Sequence, residues 1–188
     1  MVRVIAGTFK SRLLKTREGK ATRPTSDRLK ETLFNLLQAR LKGRRFLDCF
    51  AGSGSIGIEA LSRGASHVAF IESSPRASRV ISENLERLGL TPSQNYLLLN
   101  QTVENALKIL QQAGSKFDIV FLDPPYAAAE QYPKVLEKLQ QCKILNDEAI
   151  VIAEHSKHLT LTPEAACLTR VRELKQGDSM LSIYCESE

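Results

Sequence analysis

The chain has 188 residues, 43% apolar and 25% charged, a balance that suits one ordinary globular domain with a substantial core. Four cysteines at 49, 142, 167 and 185 lack C-x-x-C spacing, which argues against a zinc site or a disulfide framework and for reduced thiols in a cytoplasmic protein. No run approaches the roughly 20 apolar residues of a membrane span, and the N-terminus has no apolar signal core. The net charge of +5 hides an asymmetry: residues 1–45 hold 13 Lys and Arg against 3 Asp and Glu, and residues 46–188 hold 13 against 18. A basic segment joined to a mildly acidic domain is the pattern of a chain that grips a polyanion with one part and does chemistry with another. A well-solvated basic face is the plainer alternative.

In chain order, Val2–Ile5 and Phe9–Leu14 flank Ala6-Gly7-Thr8 and suggest a hairpin with Arg3, Lys10 and Arg12 on one side. Lys15, Arg17, Lys20 and Arg23 follow in a loop without periodicity. Thr25 or Ser26 can cap a helix in which Leu29, Leu33, Phe34, Leu36 and Leu37 recur at helical spacing. From residue 46 onward, strands expected at 45–50, 67–72, 95–99, 117–122 and 148–154 alternate with helices at 55–63, 74–88, 102–113 and 129–140. This alternation implies a parallel sheet covered on both faces. Two further strands, 167–175 and 179–185, are joined by Gln176-Gly177-Asp178 with no helix between them, so the sheet should end in an antiparallel hairpin. The expected division is residues 1–24 as a basic extension and 25–188 as the α/β domain.

Ligands of such sheets bind beyond the carboxyl ends of the strands. After the first core strand, Asp48-Cys49-Phe50-Ala51-Gly52-Ser53-Gly54-Ser55-Ile56-Gly57 fits G-x-G-x-x-G, and Glu72 lies 20 residues after Gly52, placed to accept hydrogen bonds from ribose hydroxyls. The spacing fits a nicotinamide dehydrogenase as well as a methyltransferase. Asp48 separates them: its carboxylate would repel a pyrophosphate but pair with the ammonium of a methionine moiety.

The second specific element is Asp123-Pro124-Pro125-Tyr126, directly after the strand 117–122. Two prolines remove N–H donors and stiffen the loop, leaving the Asp123 carboxylate and the Pro124 carbonyl as acceptors, while Tyr126 offers a stacking surface. An exocyclic amine on a nucleobase needs this arrangement. Two acceptors bind its hydrogens, aim its lone pair at a methyl donor and stabilise the positive charge that develops on nitrogen. The base must first leave its helix or loop to be stacked there. The expected sheet order puts this element two strands from the glycine loop.

These motifs resemble those of class I S-adenosylmethionine-dependent methyltransferases. More narrowly, the runs Arg23–Asn35 and Phe50–Gly64 and the order of elements resemble the RsmD family, which methylates the N2 amine of one guanine in 16S ribosomal RNA. The resemblance covers nearly the whole chain. It implies a Rossmann-like class I fold with a mostly parallel seven-stranded sheet, helices on both faces, a C-terminal antiparallel hairpin and an N-terminal basic β-hairpin. S-adenosylmethionine would lie on Asp48, Phe50, Ala51, Gly52, Gly54, Glu72 and Asp123. The target amine would lie on Asp123, Pro124, Pro125 and Tyr126. Arg23, Thr25 and Arg28, with Glu31, would touch cofactor or RNA, while Arg3, Lys10 and Arg12 of the basic hairpin are candidates for RNA. The partner would be 16S ribosomal RNA or a small-subunit ribonucleoprotein, met by a cytoplasmic monomer with no metal and no membrane.

One departure concerns the adenine. Such enzymes often carry an Asp after the third strand, whereas here the stretch is Asn100-Gln101-Thr102-Val103. Gln101 or Thr102 would supply a neutral oxygen, a hydrogen bond weaker by about 1 kcal/mol, and Val103 would cover the ring. His67, His155 and His158 are too scattered for a metal set, and Cys49 reads as a small buried residue rather than a nucleophile. The rivals are adenine-N6 or cytosine-N4 methylation on DNA or RNA, a NAD-dependent oxidoreductase, and an RNA-binding assembly factor without turnover.

Overall fold

Side-chain caps and strand periodicity set the elements in a computed structural model that describes residues 2–16, 26–125 and 128–186. The N-terminal part holds β1 (Val2–Arg3), β2 (Leu13–Leu14) and α1 (Asp27–Leu37). Then come β3 (Arg45–Asp48), α2 (Ser55–Ser62), β4 (His67–Ile71), α3 (Pro75–Arg87), β5 (Tyr96–Leu99) and α4 (Val103–Gln112). The chain continues through β6 (Phe117–Leu122), α5 (Gln131–Gln141), β7 (Leu145–Ser156), β8 (Glu164–Ala165), β9 (Leu168–Gln176) and β10 (Ser179–Glu186). Ser26, Ser74 and Thr102 cap α1, α3 and α4, each side-chain oxygen accepting an N–H of the first turn, as short polar residues do where a helix leaves its first donors unpaired.

One sheet has the order β5-β4-β3-β6-β7-β10-β9-β8. The strands from β3 to β7 pair in parallel, and β10 runs antiparallel between β7 and β9. The seven strands read from the sequence are all present, with two-residue β8 added at the edge beside β9. β3 and β6 are direct neighbours, Asp48 level with Phe121, not two strands apart as the sequence suggested. The chain winds outward through β4 and β5 and then crosses back over the sheet to the free side of β3. Because crossovers keep one hand, this reversal carries the next helices to the other face and opens a crevice between the strands where it occurs.

Two apolar cores result. One face of the sheet packs Phe46, Phe70, Phe121 and Ile152 against Leu33 and Phe34 of α1, Ile58 of α2 and Ile81 and Leu85 of α3. The other packs Leu47, Val120 and Val151 against Leu107 and Leu110 of α4 and Leu136 and Leu139 of α5.

Val2, Val4 and Leu14 of the N-terminal hairpin belong to the first core. Its strands are short because the backbone donors of its tip are spent on α2. The Ile5 and Ala6 N–H groups donate to Glu59 Oε2 (2.7 Å) and Oε1 (3.0 Å), and those of Phe9 and Thr8 donate to Ser62 Oγ (2.9 Å) and the Ser62 carbonyl (2.8 Å). Gly7 makes the approach possible: at φ +82° a Cβ there would lie 1.8 Å from the Ser62 carbonyl oxygen. Glu59 is fully buried and also accepts from Arg63 Nε at 2.7 Å, so its charge is paired as burial requires. Buried Lys30 donates to the Arg3 carbonyl at 2.6 Å, fixing the hairpin's first strand from α1.

Candidate functional site

At the carboxyl end of β3 the backbone turns sharply through Gly52 (φ +56°) and Gly54 (φ +77°), angles that favour glycine. Gly54 is the N-cap of α2 and offers no side chain to its first turn. Asp48 replaces the missing cap: its Oδ2 accepts the Gly57 N–H at 3.1 Å, and the Phe50 N–H also bonds to it. Gly57 itself admits no side chain, since a Cβ would stand 2.2 Å from the Phe70 ring. The third glycine of the motif therefore seats α2 on the sheet. Phe50 is half-buried and Ala51 buried, and the Ala51 N–H donates to the Ile71 carbonyl at 2.9 Å, which fastens the loop to β4.

Glu72, just past β4, reaches this loop: its Oε2 accepts the Gly52 N–H at 2.9 Å and its Oε1 the Ser74 N–H at 2.7 Å. A carboxylate has about four lone-pair positions, so two main-chain bonds leave room for hydroxyl donors. Asn100, past β5, donates to the Glu72 carbonyl at 2.7 Å and ties the two strand ends together. Gln101 and Thr102 are exposed; the Thr102 hydroxyl accepts from the Asn105 N–H at 3.4 Å, and Val103 is buried in the second core.

Past β6, Asp123 lies two residues beyond Phe121, the partner of Asp48. It keeps some solvent contact, Pro124 is buried and Pro125 is exposed, and the Pro125 carbonyl accepts from the Ala128 N–H at 2.7 Å. Tyr126 lies outside the described residues. Loss of hydration raises the Asp123 carboxyl from its ordinary 3.8 to about 7. Burial likewise raises Asp48 to about 7, with the negative charges of Asp123 and Glu72 adding to the rise. Three carboxyl groups thus converge beyond the ends of three adjacent parallel strands, β6, β3 and β4. Cys49, buried beside them, has its thiol pushed well up by burial and then by the Asp48 charge, which suits an inert core residue.

Of the basic residues singled out in the sequence, Arg3, Lys10, Arg12 and Arg28 are exposed. Arg3 Nε pairs with Asp27 Oδ2 at 3.2 Å. Arg23 and Thr25 lie outside the described residues, and Glu31 is exposed on α1. His155 is buried, with Nε2 2.9 Å from Ser182 Oγ and Nδ1 3.0 Å from the Ser156 carbonyl, a satisfied core histidine. Sequence reasoning missed Glu59 and Asn84. Glu59 had a signal, as the only charged residue in α2. Asn84 had none, because its partners are main-chain groups distant in sequence.

A glycine loop at a helix N-terminus, faced by acidic residues at the switch point of this sheet, defines a class I S-adenosylmethionine-dependent methyltransferase with a Rossmann-like fold. The family described as Conserved hypothetical protein 95 matches residues 2–185. Ribosomal RNA small subunit methyltransferase D of Haemophilus influenzae is 40% identical over 166 residues, 87% of this chain and 83% of the relative. Its counterpart in Escherichia coli K12 is 34% identical over 183 residues, 97% and 89% of the two chains. The solved Escherichia coli protein yhhF superposes with a TM-score of 0.85 at 33% identity, covering 99% of this chain and 98% of its own. The chain belongs to the RsmD family, the ribosomal RNA small subunit methyltransferases D.

The residues present fit the cofactor of that class. Two desolvated carboxyl groups, one of them raised further by the charges of its acidic neighbours, form a site that a cation would relieve, and S-adenosylmethionine carries both an ammonium and a sulfonium. A Cβ added at Gly52 would meet nothing nearer than the Phe50 carbonyl oxygen at 4.0 Å, so the loop is open where a ligand approaches its backbone. A dinucleotide pyrophosphate would meet the same carboxylates as repulsion, which disfavours the oxidoreductase.

Proposed function

We propose that this chain methylates the exocyclic N2 amine of a guanine in the 16S RNA of the small ribosomal subunit. The observation that carries this reading is the placement of Asp48 at the end of β3 beside the glycine loop and of Asp123 just past the end of the neighbouring β6, at the start of a Pro-Pro turn. S-adenosylmethionine, when bound, supplies an electrophilic methyl group on a positively charged sulfur. Asp48 would face its ammonium, the loop Phe50–Gly54 its methionine part and Glu72 its ribose. Gln101, Thr102 and Val103 would border the adenine.

The Asp123 carboxylate and the Pro124 carbonyl accept the two amine hydrogens, which holds the nitrogen lone pair toward the methyl and stabilises charge as it develops on nitrogen. Pro125 and Tyr126 are assigned to the target base, Tyr126 as its stacking surface. Arg3, Lys10, Arg12 and Arg28, with Arg23 and Thr25, meet RNA phosphates, so residues 1–24 act as the RNA-gripping extension of a monomer.

The test is incubation of the purified chain with labelled S-adenosylmethionine and either small subunits, 16S RNA or DNA, followed by nucleoside analysis. Label in N2-methylguanosine is expected. Label confined to N6-methyladenosine or N4-methylcytosine overturns the guanine assignment, and label in DNA alone overturns the RNA assignment.

A further inference from the structure

The glycine loop is held from a second side, by a residue outside the cofactor site. Asn84 on α3 is 1% exposed, and its side chain bonds to main-chain groups among the described residues. Oδ1 accepts the Lys15 N–H at 2.8 Å, while Nδ2 donates to the Lys15 carbonyl at 3.0 Å and to the Ser53 carbonyl at 3.2 Å. The orientation of the amide is fixed by these partners, since an N–H only donates and carbonyls only accept.

A buried Asn in a helix interior has poor propensity and a desolvation cost that an apolar residue would avoid. Its neighbours Ile81 and Leu85 on the same helix are core residues. What Asn84 adds is a direct link between Ser53, at the centre of the Gly52-Ser53-Gly54 turn, and Lys15, immediately after β2.

We propose that Asn84 is a positioning residue that couples cofactor binding in the glycine loop to the placement of the N-terminal strand pair, and through it to RNA affinity. The second half rests on the RNA-binding reading of that strand pair. A ligand seated on the loop fixes the Ser53 carbonyl, which fixes the Asn84 amide, which holds Lys15 by both main-chain groups. Binding energies coupled in this way are reciprocal, so cofactor tightens RNA and RNA tightens cofactor by the same factor.

The Lys15 amide reports on the clasp directly. Its hydrogen exchange, measured by NMR, should slow by about fivefold or more when S-adenosylhomocysteine binds the wild type, at the lower end of usual site-to-site coupling. In Asn84→Asp, which keeps the acceptor for Lys15 and loses both donated bonds, the amide should no longer respond to the ligand. Titration of a 16S RNA fragment gives the second readout: S-adenosylhomocysteine should tighten RNA binding by about fivefold or more in wild type and in Lys15→Ala. Lys15→Pro, which removes the N–H from an exposed position without opening the core, should lose that response, so the test survives if the Asn84 variant fails to fold.

An anchor that served only stability would leave the wild-type Lys15 exchange rate unchanged by the ligand, and that result overturns the proposal. So does an undiminished ligand response in Asn84→Asp or Lys15→Pro. Ligand-sensitive Lys15 exchange in a chain that binds no RNA keeps the clasp and overturns the RNA-binding reading.

Discussion

The two ends of the same pair of strands, β3 and β6, treat carboxyl groups in opposite ways. At the amino end, Asp118 is surrounded by donors: the Arg45 N–H at 2.7 Å, Asn146 Nδ2 at 3.0 Å and Arg44 Nη1 at 3.3 Å. At the carboxyl end, Asp48 and Asp123 stand near one another with no cation shifting them among the described residues, and both are raised to about 7. One end is closed by its own donors. The other holds carboxyl groups that lose their protons only near neutral pH, and a cationic ligand would compete with those protons, as suits an edge that binds rather than one that only supports the fold.

The largest effect that would break this contrast is at Asp123. Asp123→Ala should lower the methylation rate by about a hundredfold to a thousandfold, the usual cost of removing one preorganised electrostatic contact from a reacting centre. Its thermal stability should be unchanged or slightly raised near pH 8, because a poorly solvated carboxylate is gone. Single-turnover kinetics and a melting curve on the same preparation check both.

Next comes charge at Asp48. Asp48→Asn keeps an oxygen for the Gly57 N–H but loses the anion, and should weaken S-adenosylmethionine by about tenfold to a hundredfold, the worth of a charged hydrogen bond. The pH dependence follows from the upward shifts. A carboxyl whose folded value exceeds its unfolded value binds an extra proton in the folded state between the two. The stability it contributes is whole below 3.8 and lost as pH rises through about 7. Ligand-free wild type should therefore lose stability relative to Asp48→Asn between pH 4 and 7 and run parallel to it above. Affinity for the cationic cofactor should move oppositely, rising with pH up to about 7 as the carboxyl loses its proton. Urea melts and calorimetric titrations across that range measure the two trends.

At the closed end the expected effect is on stability alone. Asp118→Ala leaves the Arg45 N–H without its acceptor and should cost about 1–3 kcal/mol, while kcat per folded molecule stays at the wild-type value. The smallest effect is at the α4 cap, where Thr102→Ala should cost about 1 kcal/mol of stability. A clear loss of cofactor affinity beyond that would show the Thr102 hydroxyl to be in contact with the adenine.

Much of this arrangement was legible in the sequence because it rests on local rules. The alternation of apolar strands with capped amphipathic helices produced the seven strands, and the glycines and Asp123-Pro124-Pro125 fall where strand ends place ligands. The adjacency of β3 and β6 was not legible, since strand order is decided by which face each crossover helix covers rather than by any residue within the strands. Nor was the second duty of Asp48. Its position after an apolar run marks it as a candidate for the site, but its bond to Gly57 follows from α2 beginning at a glycine that has no side chain to cap it. The short hairpin strands have the same kind of cause, because Glu59 and Ser62 compete for backbone donors that a sequence reading assigns to the opposite strand.

The most direct test of the central claim is the N2-methylguanosine content of 16S RNA from cells that lack this chain. The account predicts loss of a single N2-methylguanosine, restored by the wild-type chain and not by Asp123→Ala. An unchanged content of that nucleoside in cells without the chain would contradict it.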